Sequence, residues 1–334
     1  MKIGFFEIEP WEKEVLKKAL PKEESIFSPQ KLTVKNADKY NQLEAIAVFV
    51  HSKIDSSVIK KLPKLKFITT MSTGYDHIDL EACKQNNITV CNVPTYGENT
   101  VAEHTFALIL ALSRKIVECV ERTKKGSFEL SGLRGFDLRG KTLGVVGSGN
   151  IGQHVIRMAK GFEMKVLVFD VVKNNSLAKE LGFEYVSMDR LLRESDLVTL
   201  HVPYNQHTHH LIGRKELNLM KKTAYLINTS RGGVVDTDAL VKALQKKETA
   251  GAGLDVLEEE CEIIEEKQLL TKEFNTKCNL KTLVENHLLL KMDNVIITPH
   301  NAFNTQEALM RILEVTVENI DGLRRGKSIN VVNK

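Results

Sequence analysis

One glycine loop, set between a strand and a helix, constrains this chain more than any other feature. Thr142-Leu143-Gly144-Val145-Val146 reads as a short buried strand, and Gly147-Ser148-Gly149-Asn150-Ile151-Gly152 follows at once. Ile151, Val155, Met158, Ala159 and Phe162 then supply the apolar face of a helix. A chain that runs from a buried strand through three spaced glycines into a helix belongs to a parallel βαβ unit. Gly147 permits the tight turn, Gly149 lets backbone approach a pyrophosphate, and Gly152 lets helix and strand pack closely. The unpaired N–H groups and positive dipole end of that helix, expected over Ile151–Gly161, then face the phosphates. The next strand, Lys165–Asp170, ends in a carboxylate that can accept both adenosine ribose hydroxyls and would repel a 2′-phosphate. NAD is therefore expected rather than NADP, although Lys173 is a nearby cation that could tolerate a phosphate.

The alternation of strands and helices extends in both directions. Before the loop, strands are expected at Lys2–Phe6, Ala45–Val50, Phe67–Thr70 and Thr89–Cys91, with helices near Trp11–Leu20, Ser56–Lys61 and Asp79–Asn86. A long helix over Val101–Lys115 is apolar or small almost throughout Thr105–Leu112, which predicts burial nearly all round. After the loop come strands at Leu197–His201, Thr223–Asn228, Ala250–Leu254 and Val295–Thr298, helices at Ser176–Leu181 and Thr237–Lys246, and a terminal helix over Thr305–Arg324. Such alternation predicts an α/β chain with parallel sheets covered by helices on both faces. At 334 residues the chain has room for roughly two domains. The segment Glu258–Asp293, rich in Glu, Lys and Leu, reads as a partly helical, partly exposed insertion.

Composition excludes several functions. The 47 basic and 43 acidic residues nearly balance, which argues against a dedicated nucleic-acid binder. No run of about 18 apolar residues exists, so no membrane span is expected. Five scattered cysteines without a CxxC pair read as ordinary thiols in a reducing compartment, and no secretory leader is recognisable, so the cytoplasm is expected. Gly135–Thr142 matches a phosphate-loop pattern by letter, yet a strand rather than a helix follows it. His201, His207, His209 and His210 look like a metal cluster, but no cysteine or acidic residue lies among them and two are adjacent, so no metal is expected.

Ligands of doubly wound sheets bind outside the carboxyl ends of the strands. Three candidates stand there. Arg231 follows the strand ending at Asn228, and a guanidinium can hold a 2-keto acid by its carboxylate or carbonyl oxygen with forked geometry. His300 follows Val295–Thr298 and Pro299, and an imidazole can supply the proton that a developing alkoxide needs near neutral pH. The run Glu258–Glu260 follows a further strand end; one of its carboxylates could orient that imidazole. Spacing does not choose among the three glutamates, and the run also reads as a solvated acidic turn. Arg231 likewise has a plain reading as a surface residue before a glycine turn. Together the signals point to hydride transfer on a small anionic substrate.

These motifs, with Thr73-Gly74-Tyr75-Asp76-His77-Ile78-Asp79, Asn92-Val93-Pro94-Thr95-Tyr96, Val101-Ala102-Glu103-His104, Asp255-Val256-Leu257-Glu258-Glu259-Glu260 and Pro299-His300-Asn301-Ala302-Phe303, resemble the D-2-hydroxyacid dehydrogenase family, and within it the lactate-type members. The resemblance covers nearly the whole chain. It implies two doubly wound parallel-sheet domains, a Rossmann NAD domain over 101–300 and a flavodoxin-like, discontinuous substrate domain over 1–100 plus 301–334, with a cleft between them that closes on substrate. It implies a catalytic triad of Arg231, Glu260 and His300, and substrate held by the backbone at Thr73 and Gly74 and by Tyr96. It implies NAD contacts at Asn150, Ile151, Asp170, Val202, Pro203, Thr208, Thr229, Ser230 and Asp255, beside the loop glycines. Reversible hydride transfer between NADH and pyruvate, and a homodimer joined partly through the helix near Val101, are also implied. Phe303 departs from the bulkier or more polar aromatics of some relatives and leaves substrate size open, as do Phe49 and His51. Two alternatives stand beside this reading: a dehydrogenase for a larger D-2-hydroxy acid such as 2-hydroxyisocaproate, and a non-enzymatic NAD-sensing scaffold of the corepressor kind.

Overall fold

The computed structural model describes residues 1–259 and 280–333, which form two compact units. The first comprises Met1–Tyr96 and Asn304–Lys334, the second Gly97–Phe303.

In the first unit the chain runs β1 (Lys2–Phe6), α1 (Pro10–Ala19), β2 (Glu24–Ser28), β3 (Ala45–Val48), α2 (Ser56–Ile59), β4 (Phe67–Thr70), α3 (Leu80–Gln85) and β5 (Thr89–Cys91). Its five parallel strands lie in the order β2-β1-β3-β4-β5. That is the flavodoxin-like order, with the switch point beside β1. β3 and β4 are buried at every position, as strands covered on both faces must be. β2 is absent from the expected strands. It is an edge strand, buried only at Ser28, so it has the weak apolar signal of a half-covered element.

The second unit begins with α4 (Glu98–Ser113) and α5 (Ile116–Lys124). There follow β6 (Thr142–Val146), α6 (Asn150–Gly161), β7 (Lys165–Phe169), α7 (Asn175–Leu181), β8 (Glu184–Tyr185), α8 (Met188–Glu194) and β9 (Leu197–Leu200). The unit continues with α9 (Arg214–Leu219), β10 (Tyr225–Asn228), α10 (Thr237–Gln245), β11 (Gly251–Leu254), α11 (Leu280–Leu290) and β12 (Val295–Ile297). Its seven parallel strands lie in the order β12-β11-β10-β9-β6-β7-β8. Strand order reverses between β6 and β9, the arrangement of a Rossmann fold. Alternate side chains enter opposite cores. Leu143, Val145, Val166, Val168, Leu197 and Ile227 pack with α4 and α6, while Val146, Leu167, Val198, Leu200 and Leu226 pack with α8, α9 and α10. α4 is less enclosed than its composition predicts: Ala107 is exposed, and Leu110 and Ala111 are half-covered. The phosphate-loop look-alike, Gly135–Thr142, is followed by a strand and no helix: its last residue, Thr142, is the first of β6.

The last helix, α12 (Gln306–Arg324), returns to the first unit, where it packs on α1 and β4. Its buried Asn319 donates to Thr69 Oγ1 (3.1 Å) and to the Asn92 carbonyl (2.9 Å), tying the C-terminal segment to the sheet.

Candidate active site

Two of the three glycines of the loop after β6 have a steric reason. Gly147 sits at φ +100°, and a Cβ there would come within 2.5 Å of the His201 carbonyl oxygen. A Cβ at Gly152 would lie 2.1 Å from the Gly147 oxygen, so only glycine lets α6 start this close to β6. Gly149, the N-cap of α6, meets nothing within 4 Å. Its bareness serves no packing contact and leaves an open approach to the helix N-terminus. The first turn, with Asn150 and Ile151, carries no acidic residue to oppose an anion. These features fit a dinucleotide pyrophosphate.

Asp170, just past β7, accepts from the Ser148 amide (2.7 Å), the Ser148 hydroxyl (2.8 Å) and the Val172 amide (3.0 Å). Burial alone would raise its pKa; the Ser148 and Val172 hydrogen bonds, with a further one from Val171, outweigh burial and hold it below the ordinary value. The group is thus an anion at neutral pH. A carboxylate offers about four acceptor positions, so a ribose hydroxyl would share or displace one of these four bonds.

The remaining expected cofactor positions stand at neighbouring strand ends of the same sheet. After β9, Val202 is half-buried and Pro203 exposed, and Thr208 Oγ1 donates to the Pro203 carbonyl (2.6 Å), closing that turn. After β10, Thr229 and Ser230 are fixed from within the unit. Thr229 Oγ1 lies 3.0 Å from Thr105 Oγ1 on α4, and Ser230 Oγ donates to Asn228 Oδ1 (2.7 Å). Asn228 also donates to the Arg231 carbonyl (2.9 Å), and the Arg231 guanidinium donates to the Ser230 carbonyl (2.8 Å). Gly232 then passes so near the next loop that a Cβ would lie 2.0 Å from the Leu257 carbonyl carbon. No side chain fits there, and its lack brings the Arg231 turn against the backbone that leads into Glu258.

Asp255, after β11, organises the loop that carries His300. Its carboxylate accepts from the Asn301 amide (2.8 Å), the Ala302 amide (2.9 Å) and the Thr298 hydroxyl. Its carbonyl accepts from the His300 amide (2.8 Å). His104, from α4, places Nε2 3.3 Å from Asp255 Oδ1 and 3.0 Å from Thr298 Oγ1. The Asp255 side chain is fully buried. Burial would raise its pKa; the bonds from His104, Thr298, Ala302 and Asn301 together pull it below the ordinary value. His300 itself is held at φ +51°, a left-handed conformation uncommon for a residue with a Cβ. Its ring lies 6.3 Å from that of Phe303, nearly edge-on at 81°. The role of Asp255 as an organiser had no signal in the sequence: its partners lie on α4 and beyond β12, far along the chain.

Of the three candidate glutamates, Glu258 is otherwise engaged. Its Oε1 lies 2.8 Å from His210 Nε2, and its Oε2 accepts from Thr237 Oγ1 (2.9 Å). Glu259 takes a left-handed φ of +55°. Glu260 lies outside the described residues.

The expected substrate positions belong to the first unit. Thr73 and Gly74 follow β4, with Thr73 Oγ1 donating to the Val93 carbonyl (2.8 Å) and Asn92 donating to the Thr73 carbonyl (2.9 Å). The Tyr96 carbonyl accepts from Arg311 Nε of α12 (2.6 Å).

Residues 106–302 match the family model described as D-isomer specific 2-hydroxyacid dehydrogenase, NAD binding domain. A glyoxylate reductase of Thermococcus litoralis is 39% identical over 305 residues, covering 89% of this chain and 86% of that protein. A D-lactate dehydrogenase of Escherichia coli is 35% identical, covering 89% and 88%. Among solved structures, D-lactate dehydrogenase of Aquifex aeolicus complexed with NAD and lactic acid aligns with a TM-score of 0.88 at 39% identity, covering 99% of both chains.

Proposed function

We propose that this chain, which belongs to the D-isomer-specific 2-hydroxyacid dehydrogenase family, reduces pyruvate to D-lactate and catalyses the reverse oxidation. The family makes it an NAD-dependent oxidoreductase; the choice of pyruvate is the proposal. When bound, NADH supplies the hydride for C2 of the keto acid. Arg231 holds the substrate carboxylate and polarises the carbonyl. His300 delivers the proton to the carbonyl oxygen and, in reverse, removes it from the hydroxyl. Glu260 pairs with the imidazole and favours its protonated form. Thr73 and Gly74 offer backbone N–H groups to the carboxylate, and Tyr96 contacts the substrate.

The observation that carries pyruvate is the Phe303 ring set edge-on beside His300. It offers an apolar wall against which a C3 methyl packs. Burying one methyl is worth roughly 0.8 kcal/mol, about fourfold in kcat/KM. Glyoxylate has no C3 and forgoes that contact, yet the likeness to a glyoxylate reductase makes it the second reading. The test is NADH oxidation with a panel of glyoxylate, pyruvate and 4-methyl-2-oxopentanoate. The expected order puts pyruvate first and yields D-lactate. A larger kcat/KM for glyoxylate or the branched acid moves the substrate and keeps the mechanism; NADH binding without turnover on any acid sinks the enzyme reading and favours a nucleotide-sensing scaffold.

A homodimer is part of the same proposal. Ile116, Val117 and Val120 on α5 are 48%, 41% and 44% exposed, and Phe128 and Leu130 just beyond it are 82% and 81% exposed. Neighbouring apolar side chains left this open are characteristic of an association surface. Light scattering on the eluting protein should give twice the 37.6 kDa chain mass; a monomer at micromolar concentration rejects the dimer. No described helix is long and apolar enough to cross a membrane, and the proposed location is the cytoplasm.

A further inference from the structure

We infer that His209, His210 and Glu258 form a site for one divalent transition-metal ion of the zinc class. The inference does not rest on the proposed reaction. The sequence shows neighbouring histidines but no acidic partner; the fold supplies one, by bringing the end of β11 against the turn after β9. One ligand atom from each of the three side chains lies within 4.8 Å of the others. Zinc holds nitrogen and oxygen ligands at about 2.0–2.2 Å. Imidazole donates in the plane of its ring, so the set closes on an ion when the exposed His209 ring swings out of its 3.8 Å stack on His210.

The surroundings support the ligands. The Tyr204 hydroxyl lies 3.1 Å from His209 Nδ1, which leaves Nε2 for the ion. Thr237 Oγ1 holds Glu258 Oε2 at 2.9 Å, which leaves Oε1. Asn286 Nδ2 donates to the Glu258 carbonyl (2.8 Å), and the His210 amide donates to the Gly233 carbonyl (2.8 Å), so both ligand backbones are fixed. Such outer contacts orient metal ligands and set affinity. His201 is not one of the set; its ring Nε2 lies 2.9 Å from Thr199 Oγ1. Two imidazole nitrogens and one carboxylate oxygen suit zinc, nickel or copper and not magnesium or calcium, which prefer all-oxygen shells. On binding, the ion takes the place of the proton between His210 Nε2 and Glu258 Oε1; a neutral imidazole retains that proton on Nδ1, an imidazolium releases it to solvent, and water completes the fourth position. The bound ion would join the turn after β9 to the segment two residues before Glu260.

The test is calorimetric titration of the full chain with zinc chloride in the absence of NADH, repeated for His209→Ala and Glu258→Gln. His209 lies on the surface and outside the proposed catalytic and cofactor positions, so His209→Ala should fold and turn over as the parent does. The expected result is one ion per wild-type chain and affinity at least about tenfold weaker in each variant. X-ray absorption of the zinc complex should show two imidazoles. No binding at millimolar zinc, or either variant binding as tightly as the parent, overturns the inference.

Discussion

Replacing His300 by alanine is expected to lower kcat for pyruvate reduction by about 10²- to 10⁴-fold, the usual contribution of a positioned general acid. Hydride transfer to C2 leaves negative charge on the carbonyl oxygen, and without the imidazole only water can neutralise it. The loss belongs to the transition state, so kcat and kcat/KM should fall together while KM changes little. NADH affinity, read by fluorescence, should stay near the parent value, because the glycine loop, Asp170 and the β9 and β10 turns are untouched. The His300 amide bond to the Asp255 carbonyl is made by backbone and survives the substitution. His300→Gln sharpens the test, since it keeps hydrogen-bonding capacity and removes the ability to give up a proton. A kcat within about threefold of the parent in both variants would take His300 out of the proton-transfer role.

What could be read from the chain alone, and what could not, divides along sequence separation. The glycine loop was legible because strand, turn and helix are consecutive, and two of its glycines answer demands of that turn: Gly147 its positive φ, and Gly152 its close approach to Gly147. The strands bearing Arg231 and His300 were legible as apolar runs followed by polar residues, and the parallel order of both sheets confirms the expected fold class. The edge strand β2 and the helix α5 were not. β2 is only half-covered, and α5 buries no residue at all, so neither needs the apolar periodicity that reveals a core element. Non-local pairings were equally hidden. His104 meets Asp255, and His210 meets Glu258, across 151 and 48 positions, and nothing in either neighbourhood announces the other. The acidic run at Glu258–Glu260 shows the limit well. Its three members are indistinguishable by spacing, but packing assigns Glu258 to His210 and Thr237, while Glu260 stays a proposal by resemblance.

Asp255→Asn should be the most damaging substitution away from the reacting atoms. The carboxylate accepts from two backbone amides on the loop after β12, from Thr298 and from His104. An asparagine keeps one oxygen and turns an NH₂ towards donors, so at least one buried N–H loses its acceptor. Each such loss costs about 1–3 kcal/mol, and the charge-assisted strength of the remaining bonds is lost as well, for an expected total on the order of 3 kcal/mol. Denaturant unfolding measures it directly. Activity should fall further than stability explains, because the left-handed backbone at His300 is sustained by these same bonds. The pH dependence separates this role from simple packing. The Asp255 pKa is depressed in the folded protein, so its stabilisation is fully present above the ordinary carboxylate value of 3.8 and is lost as pH falls through the folded value. Wild type should therefore lose stability steeply below about pH 4, and the difference between wild type and Asp255→Asn should shrink over the same range. A difference that stays constant down to pH 2, or a variant as stable as the parent at neutral pH, would show that the loop bearing His300 is held by something other than this carboxylate.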